Sequence, residues 1–310
     1  MDFRLTQEQQ DLQAGVRGLL AGRYGREALR ACVDSGGALD RALWRELGEA
    51  GFFALRLPEA DGGVGLGLPE AVLVFEEAGR ALLPGPLVAT HLAAGTVPGA
   101  AAGTAVVTAF DLGDLRGGGR PLVAHLADAD AVLGTPLLPS GEPVRSADPL
   151  TPLHRVAAPG SAAAMYRDEG ALLTAALQTG SALRTVELAV RYAQEREQFG
   201  QPIGAFQAVK HLCAQMLVRA EVARTAVYAA AVTADPAEVA GAKLLADGAA
   251  VRNARDCLQV HGGMGFTWEA DVHLHLKRAW VRAEQWRTAG EAEELLAEEL
   301  LAAELLTAGG

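Results

Sequence analysis

The sequence predicts a mainly α-helical protein with an N-terminal helical domain, a small β region and a C-terminal four-helix bundle. Half of the 310 residues are hydrophobic but only 5% are aromatic, so the core must consist mainly of Ala, Leu and Val, which favours closely packed helices. Apolar residues recur at helical spacing in residues 1–95 and again from residue 168. The short apolar runs between these stretches are typical of strands.

In the N-terminal domain, residues 1–95, the sequence predicts three helices. Thr6 is a candidate N-cap, and Gln9 stands three residues later, as in a capping box. The second helix covers about 39–50, and the third runs from about Pro69 to Leu82. The glycine-rich loop between them, 58–65, cannot continue a helix.

The middle region, residues 96–167, changes character. Residues 105–110 and 131–133 are short apolar runs bounded by Gly, Pro and Asp, which predict strands. Residues 139–164 are rich in Pro, Ser, Gly and Ala with little periodicity, which predicts loop and linker. We therefore expect a reduced β domain here.

The C-terminal region, residues 168–310, is predicted to be helical throughout. Pro at a helix start is favourable, so Asp235-Pro236 marks the beginning of one helix. Long helices with short connections pack antiparallel as a bundle. The predicted helices cover about 168–195, 204–233, 237–260, a segment from about 268, and 290–306.

Composition excludes several classes of protein. The net charge of −11 argues against nucleic-acid binding. The three cysteines are far apart and form neither a disulfide framework nor a zinc motif. The N-terminus has no signal-peptide pattern, and no uncharged run reaches the roughly 18 residues of a membrane span. We expect a cytoplasmic protein.

Two sequence runs are suited to a diphosphate-bearing cofactor. The first is Arg196-Glu197-Gln198-Phe199-Gly200, with Phe206-Gln207 shortly after it, and the second is Gln259–Phe266 with its Gly262-Gly263 pair. A guanidinium donates two hydrogen bonds to phosphate oxygens, and glycine lets the backbone approach a ligand closely. The second run follows a predicted helix, so it is not a Rossmann fingerprint.

Together the two runs resemble the flavin-contacting signatures of the acyl-CoA dehydrogenase family. The N-terminal sequence resembles the opening helical domain of the same family. The resemblance lies in Trp44, the loop 58–65 and the run Glu76-Glu77-Ala78-Gly79-Arg80. The resemblance covers roughly 1–95 and 168–285. It implies FAD as cofactor, an acyl-CoA substrate and an electron-transfer flavoprotein as electron acceptor.

The resemblance also implies roles for particular residues, which would reach the FAD held mainly by a neighbouring subunit. Simpler interpretations stay open: a solvated helix-end cation for Arg196, core packing for Phe199, and a helix C-cap for the glycines. The implied cofactor contacts are Arg196, Phe199, Gln207, Gln259, Gly262 and Gly263.

The chain departs from the family in two places. Residues 96–167 contain neither the Thr-Glu-Pro run nor the Thr-Gly-x-Lys segment that hold the flavin ring in the family. The family's catalytic glutamate usually follows an arginine, here Arg278, by nine residues, but that position is Arg287. A guanidinium cannot act as a base near neutral pH.

Some family members place the base at the start of the first long C-terminal helix. Asp168 and Glu169 are the candidates there, with Gly170 at the nearest register, although acids at a helix N-terminus are also favoured by the helix dipole. We expect Glu284 and Glu291 to be solvated charges. His273 and His275 point to different sides of a helix and do not predict a metal site.

These observations lead to one hypothesis and two alternatives. The hypothesis is a base-deficient subunit that contributes half of a shared FAD site to a hetero-oligomeric acyl-CoA dehydrogenase. Its partner would be a related subunit of the same family. One alternative is a self-sufficient homo-oligomer that uses Asp168 or Glu169 as base. The other is a non-catalytic scaffold or CoA-ester-binding protein.

Overall fold

The computed structural model describes residues 4–112, 121–157 and 165–308, with side chains as far as residue 302. The described residues form a mainly helical fold with small sheets in the middle of the chain. The N-terminal helices are α1 (Gln7–Arg23), α2 (Arg26–Asp34), α3 (Arg41–Glu49), α4 (Leu68–Arg80) and α5 (Leu87–Leu92).

Helix α1 begins at the predicted capping box and packs on α4 through polar contacts. The Thr6 hydroxyl accepts from the backbone N–H of Gln9 at 3.2 Å, and the Gln9 side chain accepts from the backbone N–H of Thr6 at 3.0 Å. Arg17 donates two hydrogen bonds, of 2.8 and 2.7 Å, to the buried Glu77 carboxylate. This bidentate geometry fixes the orientation of α1 on α4.

The N-terminal domain contains two helices that the sequence analysis missed, α2 and α5. The N-cap of α2 is Gly25, which makes no side-chain capping hydrogen bond, so the usual start signal is absent. Helix α5 has only six residues and follows Pro86, too short to show a periodic pattern.

The described part of the β region holds two small sheets. Strands β1 (Val107–Thr108) and β3 (Ala131–Val132) pair in parallel, whereas β2 (Leu122–Ala124), β5 (Leu153–Val156) and β4 (Gly141–Val144) form an antiparallel sheet in that order. The prediction of loop across 139–164 was therefore wrong for β4 and β5; 158–164 lie outside the described residues. Pro143 lies on the edge strand β4. An edge strand tolerates proline, which has no backbone N–H to donate to a neighbouring strand.

The C-terminal bundle is built on three long antiparallel helices, to which two further helices are added. Helices α6, α7 and α8 have 29, 27 and 26 residues, and α8 starts at Pro236, as predicted. The Asp235 side chain caps α8 by accepting from the backbone N–H groups of residues 237 and 238. None of the described helices is long and apolar enough to cross a membrane. The bounds are α6 Arg167–Glu195, β6 Glu197–Gln198, β7 Gln201–Pro202, α7 Gln207–Thr233, α8 Pro236–His261, α9 Val272–Ala283 and α10 Ala289–Ala308.

The N-terminal domain joins the bundle where α4 crosses α6 at backbone contact distance. A Cβ atom at Gly79 would overlap the Leu177 carbonyl, and one at Gly180 would overlap the Glu76 carbonyl. Only glycine permits this approach. The crossing buries side chains on both helices, including Phe75 and Leu172.

Arg278 ties all three regions together. From α9 it forms a buried ion pair with Asp148 of the β region and donates to the Leu83 carbonyl of the N-terminal domain at 3.1 Å. Asp148 is fully buried and also accepts from the Thr151 hydroxyl at 2.6 Å. Removing one partner of a buried ion pair of this kind strongly destabilises the folded protein, because the other charge is left buried and unpaired.

The helix crossing generates a stability prediction. Gly180→Ala should lower the free energy of unfolding by about 2–4 kcal/mol, because the two backbones must separate and lose packing. Gly15→Ala on α1 is the matched control, since a Cβ there meets nothing within 4 Å. The control should raise stability by about 0.5–1 kcal/mol. Urea unfolding measures both; equal effects of the two variants would contradict the close crossing.

Candidate functional site

The residues implied as cofactor contacts gather at one end of the bundle. Helices α6, α7 and α8 follow one another in the chain, and each packs antiparallel to the one before it. The end of α6, the start of α7 and the end of α8 therefore lie together. The Tyr192 ring of α6 stacks on the His261 ring of α8 with centroids 4.1 Å apart. We call this the cofactor end; it comprises Arg196, Phe199, Gln207, Gln259, Gly262 and Gly263.

A tight hairpin presents Phe199 to solvent. Strands β6 and β7 are joined by Phe199 and Gly200, whose φ angles of 54° and 76° are both positive, as in a type I′ turn. Phe199 is 92% exposed, so the interpretation as core packing was wrong. A non-glycine residue at positive φ with an exposed aromatic ring is a strained feature typical of binding sites.

Arg196 is an exposed cation at the end of α6. Its guanidinium forms no hydrogen bond or ion pair within the described part of the chain, whereas Arg191, one turn earlier, pairs with Glu195 at 2.9 Å. Gln207 is exposed in the first turn of α7, whose N-cap makes no side-chain hydrogen bond. An uncapped helix N-terminus beside an arginine favours an anion.

The glycine pair at the end of α8 leaves the backbone bare. Gly262 has φ 58° and ends the helix, so the C-cap interpretation is correct for this residue. A Cβ at Gly262 or Gly263 would meet nothing within 4 Å, so packing does not demand glycine there. Gln259 is exposed one turn before. A free cation, exposed amides and open backbone fit a diphosphate-bearing cofactor lying on this surface.

The base position holds a buried cation. Arg287, 6% exposed, pairs with Asp168 at the start of α6 and donates to the Pro236 carbonyl at 3.4 Å. The Asp168 carboxylate therefore faces a guanidinium. Glu169 likewise pairs with Arg56 of the N-terminal domain. Both sequence candidates for the base are engaged in ion pairs between elements.

The alternative base position on α6 is closed by Trp286. A Cβ at Gly170 would overlap the indole ring, which is buried. Trp286 itself has φ 62°, a strained value for a bulky residue. No side chain can project from position 170 unless this ring moves.

The loop that carries Trp286 and Arg287 is fastened from several sides. Lys243 of α8 donates to the Arg282 carbonyl at 3.1 Å, which neutralises the end of α9. Arg167 donates to the Trp286 carbonyl at 3.0 Å and pairs with Glu291. The expectation that Glu291 is solvated was wrong, because Glu291 also accepts from the backbone N–H of residue 288. Glu284 is exposed, as expected.

Asp111 contacts the same loop and was missed by the sequence analysis. Its carbonyl accepts from the Trp286 backbone N–H at 2.6 Å, and its carboxylate accepts from the Gln285 amide at 2.9 Å. The other carboxylate oxygen is shielded from solvent and has no partner in the described residues. Burial raises the pKa of Asp111 to about 7, and the Gln285 hydrogen bond lowers it less. A single Asp after a strand carries no sequence signal.

Asp111 lines a cavity of about 30 Å³, roughly the volume of one water molecule. The other polar residues that line this cavity are Thr108, His125, Thr151, Arg278, Arg282 and Gln285. Burial also lowers the pKa of Arg282 well below its ordinary value.

The cofactor end and the base position lie at opposite ends of α6. Residues 168 and 196 are 28 residues apart, so at 1.5 Å per residue they are separated by about 40 Å. One cofactor bound at the cofactor end therefore cannot also face Arg287 or Asp168 of the same chain.

The histidines of α9 have separate surroundings. The His273 ring stacks on Trp268 with centroids 5.0 Å apart, whereas the His275 Nδ1 atom is hydrogen-bonded to the Ser181 hydroxyl at 2.7 Å. Within residues 4–112, 121–157 and 165–308 no group of three side chains could hold a metal ion.

Comparison with known proteins gives matches at both ends of the chain. The model for the acyl-CoA dehydrogenase N-terminal domain matches residues 6–109, and that for the acyl-CoA dehydrogenase C-terminal domain matches 160–300. Acyl-CoA dehydrogenase IpdE2 of Mycobacterium tuberculosis is 37% identical over 296 residues, 88% of this chain and 91% of that protein. Acyl-CoA dehydrogenase FadE34 of the same organism is 35% identical over 278 residues, 77% of this chain but only 39% of that protein.

Solved structures share the fold. The glutaryl-coenzyme A dehydrogenase–glutaryl-CoA complex superimposes with a TM-score of 0.85 at 23% identity, covering 97% of each chain. A chain of the ChsE4–ChsE5 complex from Mycobacterium tuberculosis gives 0.83 at 24% identity, covering 97% of this chain and 99% of that one.

Asp111 generates a prediction on pH. Its pKa is about 7 in the folded protein against 3.8 in the unfolded chain, so the folded state binds the extra proton. Its contribution to stability is complete below about pH 4 and is lost as the pH rises through 7. The free energy of unfolding should therefore fall by roughly 2–4 kcal/mol over this range relative to Asp111→Asn. Urea unfolding across pH measures the difference, and parallel profiles would refute it.

Proposed function

We propose that this chain, an oxidoreductase that belongs to the acyl-CoA dehydrogenase family, is the base-deficient subunit of a hetero-oligomeric dehydrogenase and contributes half of a shared FAD site. The observation that carries the proposal is the blocking of both base positions. One holds the buried Arg287, paired with Asp168, and the other is Gly170, covered by the Trp286 ring. The partner subunit would supply the glutamate.

The separation of about 40 Å along α6 supports the shared site. The residues of the cofactor end are exposed in the described chain, so a second subunit would cover the cofactor. Two fold neighbours have names with two components: the ChsE4–ChsE5 complex and the Tcur3481–Tcur3483 steroid acyl-CoA dehydrogenase variant. Oligomers with closed symmetry are the usual setting for such shared sites.

At the cofactor end, each residue has a defined task. Arg196 would donate to the diphosphate as a planar fork, Gln207 and Gln259 would donate amide hydrogen bonds, and the backbone at Gly262 would lie against the cofactor. Phe199 would cover an apolar part of it. When bound, FAD would supply the oxidant for removal of the β-hydrogen of the acyl-CoA as hydride, and an electron-transfer flavoprotein would be the electron acceptor.

The first experiment is the visible absorbance spectrum of the chain purified alone and co-purified with a full-length family member. Because the ring-holding runs are absent from residues 96–167, the chain alone should be folded and colourless. The complex should carry flavin and oxidise an acyl-CoA. A stoichiometric flavin spectrum from the chain alone would support the self-sufficient homo-oligomer instead. A complex without flavin would support the non-catalytic scaffold.

Arg196 generates a prediction on cofactor affinity. In the flavin-bearing complex, Arg196→Gln should weaken FAD binding by about 10- to 100-fold, because a charge-assisted hydrogen bond contributes about 1.5–3 kcal/mol. The control is Arg191→Gln, which removes an exposed cation one turn earlier that already has a partner in Glu195. Release of FAD on dilution measures both. If the two variants lost FAD affinity equally, Arg196 would act only as a nonspecific surface charge.

The acids at the start of α6 generate a further prediction. Asp168→Asn combined with Arg287→Gln removes both charges of the ion pair, of which only the Arg287 side chain is buried, so no buried charge is left unpaired. This double variant, and Glu169→Gln separately, should leave the turnover of the complex within about threefold. A loss of about 10²-fold or more in turnover, with unchanged melting temperature, would instead identify a general base.

A further inference from the structure

The cavity of about 30 Å³ that Asp111 lines also contains a buried cation without a counter-charge. Arg282 of α9 lines this cavity and is 3% exposed. Its guanidinium donates one long hydrogen bond, from Nη1 to the Leu177 carbonyl at 3.4 Å, and forms no ion pair within the described residues. Its Nε and Nη2 atoms are not sealed off as the Asp111 Oδ1 atom is, so they are open to the cavity.

Arg282 shares this cavity with a second buried guanidinium. Arg278, one turn earlier on α9, lines the same space and forms the buried ion pair with Asp148. Burial lowers the pKa of Arg282 most, the neighbouring Arg278 lowers it further, and Asp148 raises it less. A guanidinium nevertheless keeps its proton near neutral pH. Two buried positive charges therefore face one buried negative charge.

The other buried acids close to this site are committed elsewhere. Asp111 accepts a hydrogen bond from the Gln285 amide and forms no ion pair in the described part of the chain. Burial raises the pKa of Asp111 to about 7, so below this pH the carboxyl is mostly neutral. Asp247 of α8 is paired with Lys243. The positive charge of Arg282 is therefore left without a carboxylate.

An uncompensated charge inside a protein is strongly unfavourable, because it has lost water without gaining an opposite charge. A buried lysine or carboxyl escapes this cost by changing its protonation state, but a guanidinium does not. A water molecule in the cavity would supply hydrogen bonds but no charge. An anion supplies both, and a space of about 30 Å³ admits only a small one.

We propose that this cavity binds one small monovalent anion, of the size of chloride, on the guanidinium of Arg282. The site is independent of the proposed function, because it includes no residue of the cofactor end and neither Arg287 nor Asp168. Its wall comes from all three regions of the chain, with Leu87 from α5, His125 from the β region and Leu177 from α6. The bound anion therefore stabilises the packing of these regions against one another.

The test is urea unfolding of the full chain in mixtures of sodium chloride and sodium gluconate at constant ionic strength. At about pH 6 the Asp111 carboxyl is mostly protonated. Gluconate is too large for the cavity, so it maintains the ionic strength without entering the site. We expect stability to rise with the logarithm of chloride concentration, with a slope that corresponds to one ion released per unfolded chain. A slope of zero would mean that water fills the cavity, and would overturn the proposal.

A pair of variants locates the ion. Arg282→Gln removes the cation and should abolish the chloride dependence. Arg252→Gln removes an exposed arginine of α8 and, as the matched control, should keep the slope of the parent. Equal slopes in the parent and Arg282→Gln would place the chloride elsewhere on the protein and overturn the site.

A second measurement on the parent protein does not require Arg282→Gln to fold. Crystals of the full chain grown in sodium bromide should show one anomalous scattering peak in the cavity, within hydrogen-bond distance of the Arg282 guanidinium. A cavity without anomalous density in these crystals would overturn the proposal.

Discussion

The approach of α4 to α6 at backbone distance is the constraint on which the rest of the molecule depends. With Gly79 and Gly180 at the crossing, the carbonyls of one helix touch the Cα atoms of the other. The crossing places Glu76 and Glu77 inside the protein, where Gln13, Arg17 and Tyr228 satisfy them. A buried carboxylate is tolerated only with such partners. Helices α1 and α7 are therefore oriented by acids that the glycine crossing buries.

The long helix α6 then separates two kinds of chemistry. At its end, the Arg196 guanidinium and the Gln207 and Gln259 amides are exposed and have no hydrogen-bond partner among the described residues. At its start, both acids of the first turn are paired with an arginine. An exposed cation without a partner is free to bind a ligand, whereas the carboxylates of Asp168 and Glu169 are each occupied by a guanidinium. Under the function proposed above, the chain would hold part of the cofactor and leave the removal of a proton from carbon to its partner subunit.

The sequence predicted the elements that carry strong local signals. The capping box at Thr6, the helix start at Asp235-Pro236 and the hydrophobic periodicity of α6 to α8 all act over a few residues. Motif order also indicated a set of residues that the structure gathers at one end of the bundle. Prediction failed where contacts between residues distant in the sequence determine the local structure. Strands β4 and β5 have little alternation of their own and exist through their mutual pairing. The same holds for the ion pairs of Arg287 and Glu291 and for the contact of Asp111 with Gln285. Each of these contacts joins residues that are more than a hundred positions apart in the sequence.

The buried pair of Arg278 and Asp148 has a consequence for the folding of the chain during its synthesis on the ribosome. Asp148 is synthesised 130 residues before its cation. Until α9 emerges, this carboxylate has no guanidinium and must keep its contact with water. The middle region therefore cannot close its interior during synthesis, and its final packing must wait for nearly the whole polypeptide. A chain that stalls before residue 278 would leave this interior open to chaperones and proteases.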